Sequence, residues 1–146
     1  MAAMRRFMQG YQRAWETRDD TLLASLFTPD AVYHNTPFDA QRGHAAIRRY
    51  WERVKLQAAI ELSFEVLADG TDPGIAHWHV TYQVTSEKMF AMWAAASGTG
   101  IPARKPGDPL PRLVLDGVAL ADFEPSGLCT RFRIWWQQDR RLRFPQ

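Results

Sequence analysis

Cysteine is almost absent from this chain: among 146 residues there is one, Cys129. A single thiol excludes an intramolecular disulfide and a thiolate metal cluster. In a strand-like context it reads as an inert packed side chain. Long apolar runs are missing too, and no stretch approaches the ~20 residues that span a bilayer as a helix. Charge of one sign is scarce, since 18 basic and 16 acidic residues leave a net +2. That balance offers nucleic acid no electrostatic surplus, and Arg140, Arg141 and Arg143 read as a solvated tail. The opening MAAMRRFMQGYQRAW carries early arginines but no apolar h-region or cleavage site. It therefore reads as part of the fold, and the protein as cytoplasmic. Neither membrane nor nucleic acid is an expected partner, and no His, Cys or carboxylate grouping has metal-ligand spacing.

What is abundant is apolar and aromatic. The hydrophobic share is 46%, the aromatic share 12%, and there are six tryptophans. That is enough for one well-packed core, and residues 1–146 read as a single domain. Met4, Phe7, Met8, Tyr11, Ala14 and Trp15 recur at three- and four-residue steps, predicting a helix over about 4–18. Asp19 and Asp20 offer cap oxygens to a short second helix carrying Leu22, Leu23, Leu26 and Phe27, which Pro29 should stop. A short strand over 31–35 and a turn through Pro37, Phe38 and Asp39 follow. Gly43 opens a third helix whose buried stripe is Ile47, Tyr50, Trp51, Val54 and Ala58, with Arg48, Arg49, Glu52, Arg53 and Lys55 on the wet side.

Period-two alternation then predicts strands. Ile60, Leu62, Phe64 and Val66 alternate with Glu61, Ser63 and Glu65, and Ala76, Trp78, Val80, Tyr82 and Val84 with His77, His79, Thr81 and Gln83. Two more strands are predicted over about 112–124 and 128–138. Between them and the earlier pair lies an inserted segment, 86–111, too long for a hairpin loop. Its EKMFAMWAAA stretch predicts a short helix ended by Gly98 and Gly100, placed either as a lid or against the sheet edge. Helices followed by an antiparallel meander predict an α+β fold, a cone of curved antiparallel sheet wrapped around three helices with a cavity at its wide end.

The stretches FTPDAVYHNTPFDAQRGHAAIRRYW (27–51) and LDGVALADFEPSGLCTRFRIWW (115–136) resemble the nuclear-transport-factor-2-like superfamily, in particular its SnoaL-like branch. The resemblance covers nearly the whole chain and speaks to fold more than to reaction. It implies a small apolar organic ligand of polyketide or terpenoid type, no metal or organic cofactor, and a homodimer through the outer sheet face, with His77, His79 and Arg133 at the interface. Ketosteroid isomerases in this superfamily use a tyrosine of the first helix as hydrogen-bond donor, and Tyr11 matches it. Their strand-one aspartate base corresponds here to Asn35, an amide with no useful pKa for base chemistry. Their second oxyanion donor falls at about Ala119. The Arg and two Asp of the related epoxide hydrolases have no counterpart, since Trp78, Val80 and Tyr82 occupy the matching strand face. Asp39 and Asp116 remain as candidate carboxylates.

Tyr11 and Asn35 are accordingly the candidate catalytic residues, acting as donors toward an enolate or oxyanion in cyclase- or isomerase-type chemistry. Tyr33 shares strand parity with Asn35 and should face the same way. Trp15, Tyr33, Phe38, Trp51, Trp78, Tyr82, Ala119, Phe132 and Trp136 are the candidate substrate-binding residues. Gly117, Ala119 and Ala121 would either admit a helix closely or leave room for a ligand. The competing reading is a non-catalytic binding or dimerisation module, favoured if the cavity holds only amides, hydroxyls and aromatics.

Overall fold

A computed structural model describes residues 2–97, 104–139 and 141. The expected helix stop at Gly98 and Gly100 and the tail arginines 140 and 143 lie outside the described residues. The elements are α1 (Ala3–Thr17), α2 (Asp20–Ser25), β1 (Phe27–Thr36), β2 (Asp39–Arg42), α3 (Gly43–Tyr50), a 3₁₀ helix (Trp51–Leu56), β3 (Gln57–Ala68), β4 (Gly74–Val84), α4 (Glu87–Ser97), β5 (Arg112–Phe123) and β6 (Cys129–Gln138). The class is α+β, with one curved, unclosed six-stranded sheet.

Strand order across the sheet is β2-β1-β6-β5-β4-β3. From β3 to β6 the pairing is an antiparallel meander. The expectation of a wholly antiparallel sheet fails at one seam, because β1 runs parallel to β6. A connection through four strands, α3, the 3₁₀ helix and α4 separates the two, so nothing forces a hairpin between them. β1 is also longer than expected. It begins at Phe27 and contains Pro29, which lies in an irregular stretch between the Phe27–Cys129 and Val32–Arg131 pairs. A bulge of this kind leaves the missing proline N–H without cost.

The helical stripe of α1 is buried as its spacing implies, with Met4, Phe7, Met8, Tyr11, Ala14 and Trp15 all inside. Asp19 caps α2 by accepting from the Leu22 backbone N–H at 2.9 Å. Beneath α1, Phe132 is the hub of an aromatic cluster, its ring centroid 5.1 Å from Phe7, 5.2 Å from Tyr11 and 5.1 Å from Tyr33. Such pairs add roughly 0.5–1.5 kcal/mol each beyond area burial, which fills the narrow end of the cone solid. Small residues let α1 approach the sheet there: a Cβ on Gly74 would lie 2.6 Å from the Met4 Cβ. Ala76 and Ala119, paired across β4 and β5, are fully buried.

The third helix departs from expectation in a way that matters for the site. It does not run on as an α-helix to Ala58 but tightens to 3₁₀ at Trp51 and gives way to β3 at Gln57. With three residues per turn, positions three apart eclipse, and Arg53 comes to sit over Tyr50.

Candidate functional site

The wide end of the cone holds a partly open cavity of about 110 Å³. Its floor and walls come from Trp15 on α1, Tyr33 on β1, Trp78 and Tyr82 on β4, and Leu115, Ile134 and Trp136 on β5 and β6. Tyr50, Trp51, Arg53, Val54 and Gln57 form one side. Met89, Met92 and Trp93 of α4 complete the lining. An engineered apolar cavity of ~150 Å³ holds one benzene. The space seen here takes most of one ring, and the rest of a larger molecule would stand at the opening.

α4 is fastened at its start. Ser86 Oγ accepts from the Met89 backbone N–H at 3.1 Å, and Glu87 binds Arg104 through two oxygens, one at 2.8 Å. Arg104 also lies over the Phe90 ring at 5.2 Å. The returning chain is held by Gln83, whose amide donates to the Leu110 and Pro111 carbonyls.

The cavity wall is backed by a chain of hydroxyls. Tyr11 and Tyr33 bring their oxygens to 3.1 Å, both fully buried. Trp51 lies close enough to act on the Tyr33 hydroxyl. Burial, reinforced by Tyr33, raises Tyr11 well above an ordinary phenol. Burial also raises Tyr33, with Tyr11, Trp51 and Arg53 working against it. Tyr82 and Tyr50 are raised for the same reason, and on Tyr50 the Arg53 charge and the Asn35 amide oppose the effect. These phenols are donors at neutral pH, never bases.

Six candidate lining residues, Trp15, Tyr33, Trp51, Trp78, Tyr82 and Trp136, are brought together in the cavity wall. Five others are not. Tyr11 stands one layer behind Tyr33, because its ring is occupied by Phe7, Trp15 and Phe132. Phe132 belongs to that solid aromatic end, and Ala119 is sealed under α1 and the sheet. Phe38 is 97% exposed at the β1–β2 turn, where two strands carry it away from the core. Asn35 faces inward and is 6% exposed, yet it reaches the cavity only through neighbours. Its carbonyl accepts from Trp136 Nε1 at 2.9 Å, its amide approaches Tyr50, and its Oδ1 has no partner among the described residues.

The candidate carboxylates lie elsewhere. Asp39 sits exposed at the start of β2 and accepts from Gln41. Asp116 faces the outer sheet surface, bridging His77 Nε2 at 2.8 Å and His79 Nδ1 at 2.9 Å. Burial pushes the Asp116 carboxyl up, but the hydrogen bonds of His79 and His77 outweigh it and hold the group below the usual range. Gly117 does not leave room for a ligand: a Cβ there would lie 2.1 Å from the Trp135 carbonyl oxygen. The sheet itself closes on that glycine. Among the described residues no group of three His, Cys, Asp or Glu could hold a metal ion. No helix among them is long and apolar enough to cross a membrane.

Tyr50, Arg53, Gln57, Leu115 and Ile134 belong to the site although they were not singled out for it. Tyr50, Leu115 and Ile134 share a parity or stripe with residues that were. Gln57, 5% exposed, accepts from Trp15 Nε1 at 2.7 Å. Two of the six indoles, those of Trp15 and Trp136, thus donate inside the protein. Trp78 and Trp93, both in the cavity wall, have Nε1 groups with no partner among the described residues.

A curved sheet backed by helices, with a cavity lined from both, defines a recognisable class. The chain belongs to the SnoaL-like domain family, whose profile matches residues 5–131. Solved structures agree on the fold. One described as a SnoaL-like polyketide cyclase from Shewanella putrefaciens CN-32 is 13% identical, with a TM-score of 0.69 over 94% of this chain and 91% of that one. RV0760c from Mycobacterium tuberculosis, in complex with estradiol-17beta-hemisuccinate, is 13% identical with a TM-score of 0.65 over 94% and 95%. The epoxide hydrolase/cyclase-like enzyme SalBIII, from pyran ring formation in polyether salinomycin, is 15% identical with a TM-score of 0.64 over 90% and 88%. No curated protein matches the chain.

Proposed function

We propose that this chain is a SnoaL-like enzyme that takes a small, largely apolar polyketide- or terpenoid-like molecule under α4. It would stabilise a developing enolate or oxyanion by hydrogen bonding, in cyclase- or isomerase-type chemistry. The observation that carries this reading is Tyr33. It lies in the cavity wall, and its hydroxyl is 3.1 Å from that of Tyr11; when Tyr11 donates to it, the Tyr33 proton is left for a ligand oxygen. The donor role thereby passes from Tyr11 to Tyr33, with Tyr11 as the residue that positions it. The aromatic walls suit a flat molecule, and relatives of this fold include a cyclase and a steroid complex.

One observation favours a binding module instead. Among the described residues the lining contains no carboxylate and no imidazole, and its tyrosines are raised away from neutral pH. Chemistry without a protein base is limited to reactions in which the substrate supplies its own nucleophile, such as ring closure onto an activated carbonyl. The test is a panel of flat oxygenated polyketide- and terpenoid-derived compounds, followed for both binding and conversion with wild type and Tyr33→Phe. Conversion that Tyr33→Phe abolishes while binding persists supports the enzyme. Binding without conversion across the panel supports the module.

We also propose that two copies pair through the outer sheet face. Val118 and Trp135, directly opposed across β5 and β6, are 36% and 42% exposed beside the His77–Asp116–His79 cluster. Sedimentation of wild type against Trp135→Glu tests it; a monomeric wild type removes the pairing.

A further inference from the structure

We infer that the ligand of this cavity is an organic acid, with its apolar ring inside and its carboxylate at the rim on Arg53. The inference rests on the cavity being the binding site. Among the described residues Arg53 is the one formally charged side chain in the lining. It is exposed to solvent, so its charge stands at the mouth and not in the aromatic interior.

The guanidinium is held but not neutralised. The 3₁₀ turn stacks it over the Tyr50 ring, 4.2 Å from the centroid, a cation–π contact that orients the planar fork. Among the described residues no carboxylate forms an ion pair with it, whereas Arg48, Arg104, Arg112 and Arg141 each have one. Asp39 is the acidic group that acts on Tyr50, yet its contact is with Gln41. The positive potential reaches inward, since Arg53 lowers the phenols of Tyr33, Tyr50 and Tyr82 against their burial.

A planar fork fixed at the rim of an apolar cavity matches a carboxylate better than a hydroxyl or a neutral carbonyl. The size of the space agrees. A cavity of about 110 Å³ takes most of one ring and leaves the rest of a ligand at the opening.

The probes are 3-phenylpropanoate and its uncharged isostere 3-phenylpropanamide, titrated at neutral pH and low salt. Occupancy is read from the indole N–H resonances of Trp78 and Trp93. The acid is expected to bind about fivefold tighter than the amide or better, a preference that shrinks with added salt. Arg53→Gln should erase the preference while keeping amide affinity, which also shows that the variant folds. Arg53→Lys should retain part of it. Equal affinity of acid and amide in the wild type, or a preference that survives in Arg53→Gln, overturns the anionic assignment alone. If neither probe moves those two indoles, the cavity is not the binding site, and both the assignment and the functional reading fall.

Discussion

The hydroxyl oxygens of Tyr11 and Tyr33 lie 3.1 Å apart, yet only Tyr33 belongs to the cavity wall. The pair is layered, one phenol in the wall and the other on the helix behind it.

Tyr33→Phe removes the hydroxyl paired with Tyr11 and leaves that buried hydroxyl without its partner. Stability should fall by about 1–3 kcal/mol, and any turnover by about a hundredfold or more. Tyr11→Phe should do less on both counts. Denaturant unfolding and the conversion assay check this, and a larger loss from Tyr11→Phe would show that the layers are in the opposite order.

Gly117→Ala places a methyl group against the Trp135 carbonyl oxygen, 2.1 Å away by geometry, and backbone cannot swing aside as a side chain can. A loss of roughly 1–3 kcal/mol is expected from overpacking of this kind. The unfolding midpoint of this variant measures it. An unchanged midpoint would mean that the β5–β6 seam relaxes freely.

Glu87→Gln weakens the hold on Arg104 at the start of α4. Amide exchange along α4 should accelerate while exchange in β4 and β5 stays as it was, and ligands larger than one ring should enter faster. Hydrogen-exchange mass spectrometry reads the first effect and stopped-flow tryptophan fluorescence the second.

His34 titrates below its ordinary 6.5 because burial, then Arg131 and Arg133 on the neighbouring strand, disfavour its charged form. The unfolded chain therefore takes up the proton first as pH falls. The contribution is intact above about pH 6.5 and is lost as pH drops through the folded value. His34→Gln should flatten the stability profile in that acidic window and leave it unchanged above. Unfolding midpoints at a series of pH values compare the two, and parallel profiles would remove His34 as the source of the slope.

Much of this architecture is legible in residue spacing. The α1 stripe and the alternation of β3 and β4 mark their inner faces directly, and Tyr33 and Asn35 turn inward as a period of two requires. Pattern alone could not tell wall from core. Phe132, Trp136 and Ile134 share one face of β6, but only the filling of the narrow end by Phe7 and Tyr11 decides that Phe132 is closed off. Arg53 was hidden for a different reason. The spacing puts it on the wet side of the third helix, although a residue three positions after Tyr50 can reach that ring, as it does here. Phe38 shows the converse, an aromatic beside site residues in sequence that a two-strand turn carries away.

β6 arrives last in chain order but sits between β1 and β5. Until it is made, both of those neighbours expose unpaired backbone to anything that can add a strand. Final assembly must therefore wait for residues a hundred positions downstream of β1, a distant contact of the sort that slows folding. A nascent chain of this protein is most exposed to misassociation just before that strand emerges, and holding chaperones would matter most at that moment.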